Sequence, residues 1–211
     1  MSANTRESQI IWQKESLKMS EQPLVAVSEN GYDRNGTRYA RVTHVLKSVG
    51  IIDPRWFDEY AALRGTYVHM ACAMHDVKTL DYENLDPQLV GYVNGWMLFL
   101  KEHPQIEIKD IEKFVWDDTL KVAGTLDRTA MIRSSKGIID IKAATSLDSA
   151  VEIQTAGYAR MEGEVDWRMA VQLFPDGTYQ QKSLTKAIDK SIWLSACNIW
   201  NWKLAKGKER T

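Results

Sequence analysis

An acid and an amine two residues apart, Asp140 and Lys142, interrupt the otherwise apolar stretch GIIDIKAA. Side chains at i and i+2 of a strand share a face, and an ion pair on a core strand gains the fold nothing unless something uses it. Thirteen residues earlier Asp127 stands in GTLDR, on what reads as the preceding strand. Two carboxylates on neighbouring strands plus one lysine suit hydrolysis at a divalent cation. Hard oxygens hold magnesium or manganese, the ion polarises a phosphoryl oxygen and acidifies bound water, and the lysine orients that water or offsets developing charge. The Ile141 carbonyl, between the two side chains, is a further oxygen ligand.

Strand register decides whether the two aspartates meet. In an antiparallel hairpin they share a face only if opposed residue numbers have an odd sum. A turn centred on Arg133-Ser134 sets them directly opposite. A turn at Ser135-Lys136 displaces Asp127 by about four residues, ~13 Å at the usual rise. The first arrangement, or a bulge that Gly124 could supply, is therefore expected. Upstream, RGTYVH places His69 four residues after Gly65 on a helix, where an imidazole could face the same cleft. Glu112, one strand earlier, is a supporting acid. Gln154 and Tyr158 stand at i and i+4 on one helix face. Each also has a structural reading: an exposed ion pair, a satisfied histidine, a surface glutamate, a half-buried helix stripe continued by Leu147 and Val151.

The elements that must position these residues follow from patterning. YDRNGTRYARVT reads as a hairpin over Asn35-Gly36. Thr43 is the expected cap of a short helix from His44 to Val49, ended by Gly50. Asp53-Pro54 opens a helix running through WFDEYAALRGTYVHMACAMHD, and another spans roughly Pro87 to Glu102, with apolar spacing at Leu89, Val93, Trp96, Met97 and Leu100. After Pro104 come three strands, IEIKDIEKFVW, VAGTLDRTAMIR and KGIIDIKAA, with Ile139, Ile141 and Ala143 in the core and Asp140 and Lys142 facing a cleft. A helix over 147–161, a hairpin turning at Pro175-Asp176-Gly177 and a closing helix complete the chain. Leu184, Ile188, Ile192, Ile199 and Trp202 fall on one stripe of that last helix. Helices and strands in this order imply an α/β fold with a mixed sheet of about five strands. Residues 1–22 form a frayed or peripheral segment, and 23–211 one domain.

Composition narrows the class. The chain has 211 residues, net charge −1 and 44% apolar residues, as an ordinary globular protein does. No run is apolar enough to span a membrane, and the start lacks the layout of a secretory signal. Two cysteines, Cys72 and Cys197, cannot ligate an iron–sulfur cluster or build a disulfide framework. A reducing cytoplasm is the expected compartment. Zinc hydrolysis through His69, Cys72 and His75 is disfavoured, since spacings of three and six do not share one helix face.

The pieces in this order resemble the RecB-like exonucleases of the PD-(D/E)XK nuclease superfamily: a G-x-x-x-H helix (Gly65 to His69), a G-x-x-D strand (Gly124 to Asp127), a D/E-x-K strand (Asp140 to Lys142) and a Q-x-x-x-Y helix (Gln154 to Tyr158). The likeness covers about residues 30 to 180, and YDRNGTRYARVTHVL is similar to the front of small phage and organellar single-domain exonucleases. It implies a restriction-endonuclease-like core and Mg²⁺- or Mn²⁺-dependent hydrolysis of DNA, often from ends, in phage-type recombination, repair or replication. His69, Asp127, Asp140 and the Ile141 carbonyl would bind the metal, Lys142 assist the attacking water, and Gln154 and Tyr158 position the lysine or the DNA. Three features depart from it: no four-cysteine cluster, Ala143 where many members have threonine, and no nucleotide-binding helicase loop, so that unwinding would need a partner.

A DNA substrate gives other residues a use. Arg34, Arg38 and Arg41 could track phosphates, and Trp56, near Arg55 and Arg64, could stack on single-stranded bases. Trp193, Trp200 and Trp202 are expected in the core. A recombination or single-strand-binding protein is a natural partner. Two alternatives compete: a structure-specific endonuclease with the same site, and a non-catalytic DNA-binding or assembly module on the same fold.

Overall fold

The computed structural model describes residues 25–28, 31–53, 55 and 58–209, the first four by their backbone only. The expected N-terminal segment and Trp56 lie outside them. Strands β1 (Val25–Ser28), β2 (Gly31–Arg34) and β3 (Thr37–Arg41) form an antiparallel meander. Asn35 and Gly36 link β2 to β3 with φ of 53° and 75°, the two positive values that a tight hairpin turn demands.

Helix α1 (Val42–Ser48) begins at once, with Arg41 and not Thr43 at its cap position. The Ala40 amide is tied to the Lys121 carbonyl at 2.9 Å and Arg41 still lies beside Ala123, so the strand runs up to the residue before the helix. Helix α2 (Glu59–Asp76) starts later than Asp53-Pro54 suggests. Asp58 caps it by accepting from the Tyr60 and Ala61 amides, whereas Asp53 is engaged by Arg55. Helix α3 (Pro87–Glu102) has the expected bounds, with Asp86 accepting from the Gln88 amide and proline at the first position. Its buried face is Tyr92, Val93, Trp96 and Phe99, and Met97 is exposed.

The remaining elements are β4 (Ile106–Asp117), β5 (Val122–Ile132), β6 (Ser135–Lys142), α4 (Ala150–Glu162), β7 (Trp167–Leu173), β8 (Tyr179–Ser183) and α5 (Ile188–Ala205). Strands β4 to β8 and their helices form a restriction-endonuclease-like core. The meander extends the same sheet, so that it counts eight strands among the described residues, not about five. The extension is a parallel contact, Ala40 and Arg41 of β3 beside Val122 and Ala123 of β5. Strands β6 and β7 are also parallel, which requires a crossover, and α4 supplies it.

Both faces of the sheet are covered. On one, α1, α4 and α5 bury Val115, Val122, Leu126 and Ile138 with Trp193 and Trp200. On the other, α2 and α3 bury Ile139, Ile141, Val171 and Leu173 with Val68, Cys72, Trp96 and Phe99. The face of β6 carrying Asp140 and Lys142 is therefore roofed by α4 rather than open to a cleft, which explains why Asp140 is only 3% exposed.

The sheet forks at β5. Along one edge β5 pairs with β4 throughout. Along the other it pairs with β3 only at Val122 and Ala123, and with β6 only from Arg128 to Ile132. Residues 124 to 127 face the gap between.

Candidate active site

The β5–β6 turn falls at Arg133-Ser134, with Ile132 opposite Ser135 and Arg128 opposite Ile139. One step further along this register Asp127 stands across from Asp140, where the strands part. The Asp127 carboxylate bridges the opening: its Oδ2 accepts from the Ile141 amide at 2.7 Å, in place of a ladder bond. The N–H and C=O of one strand residue leave from the same edge, so the Ile141 carbonyl also faces the fork. On the other side of β5, Ile111 opposes Arg128 and Lys113 opposes Leu126, which places Glu112 across from Asp127. Three acids from β4, β5 and β6 thus lie in one row.

Glu112 has φ of 50° in mid-strand, a left-handed conformation costing a non-glycine residue roughly 1–2 kcal/mol. Its carboxylate is held by Arg128 Nη1 at 3.2 Å. Arg128 is itself fully buried, pairs with Asp76 at 2.6 Å and donates to the Asp127 carbonyl at 2.6 Å. Trp96 Nε1 donates to the other Asp76 oxygen at 2.8 Å. This Asp76–Arg128–Glu112 brace was not foreseen; its one sequence signal is a charged residue, Arg128, directly beside Asp127.

His69 descends from α2 with Nδ1 3.3 Å from Asp127 Oδ1. Ligand atoms of His69, Glu112 and Asp127 lie within 4.8 Å of one another. Glu112, expected as a support, thus joins the inner group, while the Asp140 carboxylate falls outside it and faces Lys142. Asp140 Oδ2 is 2.9 Å from Lys142 Nζ, yet it is buried and without a well-directed hydrogen bond. Lys142 also donates to Gln154 Oε1, and Gln154 Nε2 donates to the Tyr158 hydroxyl, both at 3.3 Å. Gly124 lets this chain close on the sheet: a Cβ there would sit 2.7 Å from the Tyr158 ring.

The electrostatics show crowded like charges. Burial alone would raise Asp127, but His69, Lys142 and the Ile141 amide outweigh it and hold this carboxyl down to about 2. Asp140 is raised, by burial and then by Asp127, against the pull of Lys142. Glu112 is raised for the same two reasons, burial first. His69 rises above its ordinary value because Asp127 and Glu112 overcome its desolvation. Lys142, similarly desolvated, is kept protonated by Asp140 and Asp127. Burial pushes the Tyr158 phenol well up. Ionising all three acids needs more positive charge than these side chains bring, and an oxygen-rich donor set with one imidazole fits a hard divalent ion.

Other expected residues fall elsewhere. Cys72 and His75 do not join the His69 group; Cys72 is buried among apolar side chains and His75 leans on Asp76 at 3.1 Å. The register puts Arg34 and Arg41 on one face of the meander, Arg34 4.1 Å over the Trp116 ring and Arg41 5.2 Å over Tyr32, and Arg38, opposite Asp33, on the other. Arg64 does approach the site, with Nη2 3.5 Å from the carbonyl of Ala143, next to Lys142. It borders a cavity of about 380 Å³ lined also by Tyr60, Leu63, Tyr67 and Leu89. Trp193 and Trp200 are buried as expected, but Trp202 is 51% exposed.

No protein-family description and no curated protein matches the chain. Among solved structures it is similar to a protein of Eubacterium rectale provisionally named an exonuclease, at 14% identity and a TM-score of 0.47, covering 82% of this chain and 83% of that one. It is also similar to an alkaline exonuclease of Laribacter hongkongensis, at 11% identity and a TM-score of 0.40, covering 81% and 93%.

Proposed function

We propose that the chain is a divalent-metal-dependent deoxyribonuclease that hydrolyses phosphodiester bonds, acting as an exonuclease in recombination, repair or replication. The observation that carries this reading is the row of Glu112, Asp127 and Asp140 across three strands, with His69 against it and Lys142 held at its end. Magnesium or manganese, held by His69, Glu112 and Asp127 with Asp140 and the Ile141 carbonyl at the edge of the group, would polarise the phosphoryl oxygen and acidify the attacking water.

The remaining roles belong to side chains. Lys142, kept as an ammonium by its two aspartates, is a hydrogen-bond donor and not a base. It orients the attacking water and offsets charge on the phosphate oxygens. Gln154 fixes the lysine head, and the neutral Tyr158 hydroxyl fixes which way the Gln154 amide points. Arg64 meets a phosphate beside the scissile one, and Tyr60 and Tyr67 offer ring faces to unpaired bases in the adjoining cavity.

Degradation of end-labelled linear DNA, single- and double-stranded, with magnesium, manganese or EDTA tests the reading. Metal-dependent release of label from linear but not circular DNA supports an exonuclease. Cutting of closed circles identifies the endonuclease alternative, and binding without any cleavage identifies a non-catalytic module.

A further inference from the structure

Helix α5 carries two apolar faces. Asp189, Trp193, Ala196, Cys197 and Trp200 turn inward, while Ile188 (58% exposed), Ile192 (38%), Ile199 (48%) and Trp202 (51%) turn out. The stripe read from the sequence is thus, except for buried Leu184, the solvent face. With exposed Ser195 it runs 188, 192, 195, 199, 202, alternating steps of four and three residues. That spacing is the seam by which one helix packs along another. An 18-residue helix with such a seam is about 27 Å long, enough for four or five layers.

The geometry points to a second copy of this chain as the occupant, its α5 lying antiparallel on this one. Three features favour a self-contact. An isologous interface sets each surface group against the same surface, so its middle tolerates no uncompensated charge; the seam from Ile188 to Trp202 and its exposed flank (Ser191, Asn198) carry none, and Lys206 and Lys208 stand past its end. Lys203, on the seam's inner side, is drawn away to the Ser48 carbonyl and Glu209. Ser195 is the middle one of the five seam positions, so reversing one helix about it sets the two small serines together where the helices approach and large residues against large ones on either side. At the end of the seam Lys208 covers one face of the Trp202 ring, 4.7 Å from its centroid, and leaves the other face for the partner. One helix pair lies at or below the ~1,200 Å² lower bound of stable interfaces, so the dimer forms in the micromolar range rather than below it.

Sedimentation velocity of the full chain from about 1 to 100 μM tests this. The expected result is a concentration-dependent dimer that Ile192→Glu with Ile199→Glu weakens at least tenfold, with the circular dichroism and melting temperature of the parent. Disulfide trapping tests the orientation with milder changes. Ser195→Cys should cross-link to itself, whereas Ile188→Cys should not, because antiparallel packing holds the two copies of that position more than ~15 Å apart. A monomer at 100 μM, a dimer indifferent to the glutamates, or self-linking of Ile188→Cys with none at Ser195→Cys would overturn it. None of these readouts depends on nuclease activity.

Discussion

Lys142 and Asp140 face each other at 2.9 Å under the roof of α4, and in the proposed reaction their tasks differ: one would donate to water and phosphate, the other would complete the ion's ligands. Both Asp140→Ala and Lys142→Ala should lower cleavage by about 10³-fold or more, while circular dichroism stays that of the parent. Retention of activity in either would remove that residue from the mechanism. A second expectation concerns protons. His69 holds its proton above the ordinary imidazole value because Asp127 and Glu112 overcome its burial. The pair's contribution to stability is therefore full below the unfolded value and is lost as pH rises through the raised one. A bound ion needs the neutral ring, so manganese affinity should climb with pH, by up to about tenfold per unit below the folded value. Calorimetry in two buffers of different ionisation enthalpy should show proton release. Asp127 behaves oppositely: its contribution is present above the usual carboxylate range and fades only as pH falls towards about 2. Asp127, Asp140, Lys142, Gln154 and Tyr158 were legible because each stands at a spacing that a strand or helix turns into shared geometry. Glu112 was only half legible. Its side chain reaches the inner group through a φ of 50°, which no pattern of residue types announces.

At the level of elements, register does the positioning. The turn at Arg133-Ser134 fixes which residues oppose one another, and the fork in β5 releases Asp127 from ladder pairing so that its carboxylate can hold Ile141. Those features could be read from strand parity. The brace could not, because Asp76 and Arg128 are 52 residues apart and meet only when α2 packs on the sheet. Removing Arg128 would leave Asp76 and Glu112 without their cation, so Arg128→Ala should destabilise by about 3–5 kcal/mol, visible in urea denaturation. Gly65 offers the converse test. A Cβ at this helical position meets nothing within 4 Å, so Gly65→Ala should gain about 0.5–1 kcal/mol of helix stability. If DNA runs against this face of α2, the same variant should cleave more slowly; equal rates would place the substrate elsewhere. Helix α5 shows where patterning misleads. Both of its faces are apolar, and periodicity cannot say which one meets the core.

For the whole molecule, the order of elements foretold the class of fold, and the sheet proved larger because a parallel contact of two residues joins the N-terminal meander to β5. Such a contact leaves no local trace in the chain. Within the core of the sheet, three neighbouring strands bring acids into one row, at a cost in like-charge repulsion that a divalent ion would relieve. Manganese should therefore raise the melting temperature of the parent protein in a concentration-dependent way and do so much less for Asp127→Asn.

The most direct measurement is cleavage of end-labelled linear DNA by the parent and by Asp140→Ala, in magnesium, in manganese and in EDTA. Product is expected with either metal, none in EDTA and about 10³-fold less, or lower still, from the variant. Undiminished cleavage in EDTA, or equal cleavage by the variant, would contradict the proposed reaction.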